Sequence, residues 1–246
     1  FRSSKERSNG GVDSSSFTKD LGKKVESLSR DLEPKLKKAT QTILDKTAYF
    51  AEKLSKSLSE SNSFSSFVGG QEKNLELLVG YRENIHFRLN GKNGMVYVKG
   101  YNGDKITANV KYAPKGENQL IELVEVGNTI YLNYDEIYFN KVAIEAFIPE
   151  TLFTKLYIET SHDQICVDGL KVEDMNVYTS KGQIELKNIT VGKLEAETNQ
   201  GRITLDGIIG KSVAAETSNG IIEMKRCDIK EIDLVTSDSE IMLDAS

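Results

Sequence analysis

From residue 156 to residue 246 apolar and polar side chains alternate in two short runs, and the same two runs return every 19 residues. In the first run Leu156 and Ile158 alternate with polar neighbours, as do Met175 and Val177, Leu194 and Ala196, Val213 and Ala215, and Ile232 and Leu234. In the second run the pairs are Ile165 and Val167, Ile184 and Leu186, Ile203 and Leu205, Ile222 and Met224, and Ile241 and Leu243. A period of two places these side chains on one face of a β-strand. Between the runs a threonine (Thr160, Thr179, Thr198, Thr217, Thr236) leads into a polar turn that carries Gly182, Gly201 or Gly220 in three of the units. Glycine there can supply a positive φ without steric cost. After the second run Gly169, Asn188 or Gly207 marks another corner, with Leu170, Ile189, Ile208 or Cys227 just beyond it.

Two strands and two corners in 19 residues describe one coil of a β-solenoid, and unbroken recurrence of the same Thr and Ile makes the period structural. A lone coil buries too little; stacking pairs its backbone with its neighbours and continues their apolar column. The pattern predicts that Ile165, Ile184, Ile203, Ile222 and Ile241 form one buried column in register. The outward series Asp168, Lys187, Asp206, Lys225, Asp244 alternates in sign, so stacking predicts an ion-pair ladder on rungs about 4.8 Å apart. The last coil reads Ser237-Asp238-Ser239 with no glycine. Its open edge predicts either tail-to-tail self-association or coverage by an N-terminal helix.

Upstream the period loosens. Residues 76–155 read as irregular β coils that cover the first rung of the regular coils, 156–246. Ile85, Phe87 and Leu89 alternate, a turn follows at Gly91-Lys92-Asn93-Gly94, and Val96 and Val98 run to Gly100, as a coil with a slightly longer turn. Ile106, Ala108 and Val110 continue it. A strand pair flanks Gly127-Asn128, and a strand from Val142 to Ile148 ends at Pro149. Before this β region, Phe17, Leu21, Val25, Leu28, Leu32, Leu36, Ala39, Ile43, Phe50, Leu54 and Leu58 recur at three- and four-residue steps for most of their length. That spacing predicts an amphipathic helical segment over 17–58, broken or kinked near Pro34. Residues 1–16 read as a disordered tail and 59–75 as a Ser/Gly-rich linker.

Charge divides at the linker: residues 1–70 carry 13 Lys/Arg against 9 Asp/Glu, and the remainder 19 against 28. An acidic β region argues against nucleic acid as a partner. The basic helical segment leaves oligomerisation, packing on the β region or contact with a membrane surface as its readings. The 246 residues hold no secretory leader and no apolar stretch long enough to span a membrane, so a cytoplasmic or envelope-associated location stays open. Cys166 and Cys227 stand three rungs apart, about 14 Å, beyond the roughly 7 Å reach of a disulfide.

The succession from Asn90 to Val98, then Ile106 to Val110, then Val142 to Pro149, then repeated Thr-Ser-x-Gly-x-Ile-x-Leu units resembles the bacterial putative-adhesin family, a domain of unknown function built of β-strand repeats. The resemblance covers about residues 76–246. It implies a β-solenoid associated with the cell envelope and its stress responses, and it carries no catalytic residue with it.

The residues themselves offer little for catalysis. His162 stands beside Asp163 in the first regular turn, but no motif places a nucleophile with them. His86 and His162 fall short of a zinc ligand set, and the turns lack the repeated Gly-Gly-x-Gly-x-Asp of calcium-binding β-rolls. No cofactor is expected. The candidate surface is an outward face carrying Glu159, Glu197 and Glu216 at one position, with Tyr157 and Tyr178 nearby, a pairing that suits sugars or peptides. The reading is a non-enzymatic binding or scaffolding module. A carbohydrate-active solenoid enzyme and a bactofilin-like self-assembling protein are the alternatives.

Overall fold

The computed structural model describes residues 70–80, 84–117, 119–150 and 153–244. The tail expected at 1–16 and the helical segment at 17–58 lie outside them. Fifteen strands follow in chain order: β1 (Gln71–Leu78), β2 (Ile85–Asn90), β3 (Val96–Tyr101), β4 (Lys105–Pro114), β5 (Glu122–Val126), β6 (Thr129–Asn133), β7 (Phe139–Pro149), β8 (Phe153–Thr160), β9 (Ile165–Thr179), β10 (Ile184–Thr198), β11 (Ile203–Asp206), β12 (Ile209–Thr217), β13 (Ile222–Lys225), β14 (Asp228–Thr236) and β15 (Ile241–Asp244). They make an all-β solenoid.

Each regular coil lies parallel on the one before, its strand residues paired with their counterparts in the preceding repeat, as in Ile184 on Ile165, Ile203 on Ile184 and Val213 on Leu194. Strands β9 and β10 run through a corner, so each serves two stacks. The first stack is β5, β6, β2, β8, the second halves of β9 and β10, β12 and β14. The second is β1, β4, β7, β3, the first halves of β9 and β10, β11, β13 and β15. Their inward side chains form one core.

Ile165, Ile184, Ile203 and Ile222 are each 0% exposed, as the alternation requires. The fifth member is a correction: Ile241 is 40% exposed and Leu243 66%. Burial in a solenoid comes from the rung on either side, and among the described residues β15 pairs with β13 alone.

The turn glycines also correct the sequence reading. Gly182, Gly201 and Gly220 are not among the positive-φ residues. Their constraint is close approach. A Cβ on Gly201 would stand 1.9 Å from the Gly182 carbonyl oxygen, and one on Gly220 would stand 1.9 Å from that of Gly201. The recurring threonine addresses the same atom: Thr198 Oγ1 donates to Gly182 O at 3.0 Å, Thr217 to Gly201 O at 3.1 Å and Thr236 to Gly220 O at 3.0 Å. Thr198 and Thr217 are 1% exposed, so the carbonyl is satisfied from inside the core. One carbonyl thus explains both recurring turn positions. In these three units the positive φ sits at the other corner, in Asn188 (53°), Gly207 (67°) and Arg226 (50°), whereas the first unit has it both there, in Gly169 (70°), and in the turn, where Asp163 at the position of Gly182 takes a φ of 100°.

The alternating Asp/Lys series stacks in the predicted register, Asp168 on Lys187, Lys187 on Asp206 and Asp206 on Lys225. Its ion pairs form elsewhere. Lys187 Nζ lies 2.5 Å from Glu185 Oε1 and Lys225 Nζ 2.7 Å from Glu223 Oε1, both along their own strands. The aspartates are met by the corner residue of the next coil: Asn188 Nδ2 donates to Asp168 at 2.8 Å, and Arg226 grips Asp206 through Nε and Nη2 at 2.8 and 2.6 Å. A left-handed corner turns its side chain back along the stack, which brings it nearer than the lysine on the adjacent rung.

Coil-like geometry begins earlier than the regular repeat. Phe87 pairs with Leu156 and Val96 with Ile165, so β2 and β3 form a coil with a turn of ordinary length rather than a longer one. Gly100 marks the point where it touches the next coil, because a Cβ there would meet Gly169 O at 1.8 Å. Ile106, Ala108 and Val110 do not continue that coil; β4 turns back antiparallel to β7. Strand β1 pairs antiparallel with β4 from Gln71, so the segment expected to be linker up to residue 75 is strand from Gln71 onward. An edge strand with one half-buried side needs little alternation, which hid Gln71 to Asn74 from the pattern. Strands β5 and β6 form the expected hairpin at Gly127.

Within this cap Glu145 of β7 sits directly opposite Asn109 of β4. Glu145 is 9% exposed, and its Oε1 and the Asn109 Oδ1 are both buried without a donor. Asn109 gives its amide protons to Glu72, while Tyr97 and Cys166 follow Glu145 on the next rungs. Burial raises the proton affinity of Glu145, Lys111 opposes this and Glu72 adds to it. Protonation would give Glu145 a donor, and the Asn109 Oδ1 on the facing strand is a buried acceptor that lacks one. A carboxyl whose folded pKa is raised stabilises the fold below its unfolded pKa and loses that contribution as pH rises through the folded value. Glu145→Gln should therefore raise stability at neutral pH by about 1–3 kcal/mol and flatten its fall with rising pH. Thermal melts of both proteins between pH 4 and pH 8 test this; an identical pH profile in the variant would refute it.

Candidate functional site

The outer face of the first stack carries every surface residue singled out in the sequence. Glu159, Tyr178, Glu197 and Glu216 follow one another on successive rungs, and Tyr157 stands in the adjoining column. Period-two alternation turns them outward because Leu156, Ile158, Met175 and Val177 fill the core between them. The Tyr157 and Tyr178 rings lie diagonally, with centroids 5.6 Å apart and planes tilted by 41°.

Their hydroxyls are committed to carboxylates. Tyr157 Oη donates to Glu159 Oε2 at 2.7 Å, and Tyr178 Oη donates to Glu195 Oε2 at 3.1 Å. Burial and then the bond to Glu159 push the Tyr157 phenol up to about 12, so it remains a neutral donor. Burial and then the Glu195 bond raise Tyr178 in the same way. The ammonium of Lys193, 2.6 Å away, holds the Glu195 carboxyl below its ordinary range. The Arg88 guanidinium lies 4.4 Å from the centre of the Tyr157 ring, and its Nε donates to Asn90 Oδ1 at 3.3 Å.

Arg88, Asn90 and Glu195 belong to this surface and were not among the residues expected. Arg88 was hidden because β2 stands outside the regular period, with all of β3 to β7 intervening before its partner β8. Glu195 was legible: it occupies the same outward position as Tyr157 and Asn176. Arranged in this way, the face presents two rings, Tyr157 with the Arg88 guanidinium over it and Tyr178 beside it, flanked by carboxylates on a backbone fixed by hydrogen bonds on both sides.

The other candidates are dispersed. His162 is exposed in the turn before β9. Asp163 instead accepts from the Gln164 backbone N–H at 2.8 Å and faces Lys141 Nζ at 3.7 Å. Cys166 and Cys227 are both free thiols, as their separation requires. Burial raises the Cys166 thiol well above its ordinary value, with Glu185 adding to it, which leaves it an inert neutral group.

The model of the family described as Toastrack DUF4097 matches residues 72–246, the coils, their cap and this face together. The chain belongs to that family. It is the repeat domain that the Thr-Ser-x-Gly units resemble. Among solved structures, the Toastrack solenoid is similar to a putative cell adhesion protein from Clostridium sporogenes, at 9% identity and a TM-score of 0.38, over 71% of this chain and 99% of that one. It is similar also to a putative adhesin from Bacteroides fragilis, at 15% identity and a TM-score of 0.40, over 71% and 97%. A structure titled putative lipid binding protein, from Parabacteroides distasonis, shares 12% identity at a TM-score of 0.27, over 71% and 97%. No curated protein matches the chain.

Proposed function

We propose that this Toastrack domain is a non-enzymatic binding module of the bacterial cell envelope, which holds a glycan or peptide strand along the outer face of its first stack. One observation carries the reading: the tilted Tyr157–Tyr178 pair, bordered by Glu159, Glu195, Glu197 and Glu216 in stacked register. Ring faces offer apolar contact to a sugar or side chain, while carboxylates accept from hydroxyls and amides. Rigidity reduces the entropy lost on binding. Co-sedimentation with purified cell-wall material, together with a glycan screen, tests it. Replacing Tyr178 with Ala and both Glu197 and Glu216 with Lys should reduce retention at least about tenfold with little change in melting temperature. Retention that is absent in the parent, or unchanged in the variant, would overturn it.

A second reading, self-association, has its own observation. On the last described rungs Ile232, Val235, Ile241 and Leu243 are 51%, 45%, 40% and 66% exposed, and β14 and β15 each pair on one side only. Such an edge suits pairing with a second copy. Light scattering after size-exclusion chromatography should show dimer that dissociates when Ile241 and Leu243 become Lys. A monomer at high concentration rejects this reading and leaves the first untouched.

A further inference from the structure

The turn between β6 and β7 is longer than any turn of the regular coils. Ile130 pairs with Phe87 and Ile144 with Val96, so the long stretch from Ile130 to Ile144 spans the same corner that the shorter one from Phe87 to Val96 spans in the next coil. The surplus contains a short 3-10 turn, Glu136–Tyr138, capped by Asp135, whose Oδ1 accepts from the Ile137 backbone N–H. Lifting the chain off the stack leaves a cavity of about 120 Å³ lined by Leu120, Asn133, Tyr134, Asp135, Tyr138 and Phe139.

The lining is ordered. Phe139 is 1% exposed and is wedged edge-on by Tyr112 at 5.5 Å and by Tyr134 at 5.5 Å, with planes at 81° and 88°. Tyr134 Oη donates to the Asn90 carbonyl at 2.8 Å, which fixes that ring. Two aromatic walls at right angles, a third ring and one carboxylate therefore meet around one small space. The Glu136 and Glu159 carboxylates act on the Tyr134 ring: burial first, and then these two charges, raise its phenol. One ammonium already rests on this turn: Lys92 Nζ donates to the Glu136 carbonyl at 2.5 Å. The Lys115 backbone N–H, donating to Tyr138 O at 2.7 Å, ties the far side of the turn down.

From these features we infer that the cavity binds a small organic cation, an alkylated ammonium head group, with the half-buried Tyr134 and Tyr138 offering ring surface, buried Phe139 backing Tyr134 from the core, and Asp135 supplying the counter-charge. Electron-rich ring faces attract a weakly hydrated cation, and one carboxylate at the rim adds Coulomb attraction without the tight dehydration that a metal ion requires. The site is independent of the Tyr157–Tyr178 face and stands or falls separately from it.

Tetramethylammonium chloride titrated into the full chain, followed by aromatic NMR shifts, tests the inference. Saturable shifts of Tyr134, Tyr138 and Phe139 are expected. Sodium chloride should give none, and tert-butanol, neutral and similar in shape, should bind at least about threefold more weakly. Asp135→Asn keeps the turn cap but removes the charge, and should weaken binding by a similar factor. Tyr138→Leu should abolish it. Equal response to tert-butanol, or no saturable shift, overturns the inference whether or not the variants fold. Free phosphocholine and phosphatidylcholine vesicles then separate the sources: binding of the former alone assigns a soluble ligand, and flotation with the latter but not with phosphatidylglycerol vesicles assigns a lipid head group.

Discussion

Ile203→Asp is expected to abolish the cooperative unfolding transition of the solenoid, leaving a chain without the β-sheet circular dichroism of the parent. Ile203 is 0% exposed, with Ile184 against it on one rung and Ile222 on the other. Aspartate removes a packed side chain, a loss of about 2–5 kcal/mol for truncation to Ala. It also strands a carboxylate among aliphatics, which costs several kcal/mol more even if the group takes up a proton. Together these reach the whole stability of an ordinary domain, about 5–15 kcal/mol. A central rung is the worst place for the loss, because coils on both sides depend on it. Ile203→Val, costing about 0.5–1.5 kcal/mol, is the matched control. An Asp variant with unchanged dichroism and melting point would mean that the strand register is wrong.

The second large effect distinguishes two kinds of glycine. Gly201→Ala places a methyl group 1.9 Å from the Gly182 carbonyl oxygen and 2.7 Å from its carbon. Both obstacles are backbone, so relief requires the turns to separate and the Thr198 hydrogen bond to the same oxygen to be lost with them. A cost at or above the upper end of the roughly 1–3 kcal/mol typical of overpacking is expected. Gly207→Asn should be nearly neutral. Its φ of 67° is close to the 53° of Asn188 at the same corner one coil earlier, and a Cβ there meets the Asn188 side-chain oxygen at 3.2 Å and Asn188 backbone atoms only at ordinary contact, 3.7 and 3.8 Å. Chemical denaturation of the two variants side by side decides it. Equal destabilisation would show that conformational freedom, not close approach, selects glycine in the Thr-x-x-Gly turn.

Much of the solenoid was legible because its physics is periodic. Core positions such as Leu156, Ile165 and Leu186 recur at a fixed step, and each copy corroborates the others. What escaped the reading lay where the period is interrupted or the partner is distant. Lys99, at 3.5 Å from Asp168, forms across adjacent rungs the kind of ion pair that Lys187 and Lys225 do not, but the whole of β4 to β8 separates the two in sequence. Arg88 over Tyr157 was missed for the same reason. The aromatic cavity was invisible because Tyr134, Tyr138 and Phe139 read as scattered aromatics until the lengthened turn gathers them.

By itself the sequence determined the all-β class, the length of the repeating coil, the parallel register and the inward and outward faces. Strand alternation and repetition are local rules, and they leave one arrangement that buries every apolar column. Tertiary structure alone decided which atoms meet across the stack. It set the turn glycines against a carbonyl rather than in a left-handed conformation, and it gave Asp168 and Asp206 to Asn188 and Arg226 rather than to the lysines on the next rung. It placed β4 antiparallel over the cap and uncovered Ile241. These outcomes depend on small differences in distance between coils and on where stacking stops, and neither quantity is written in a hydrophobic pattern.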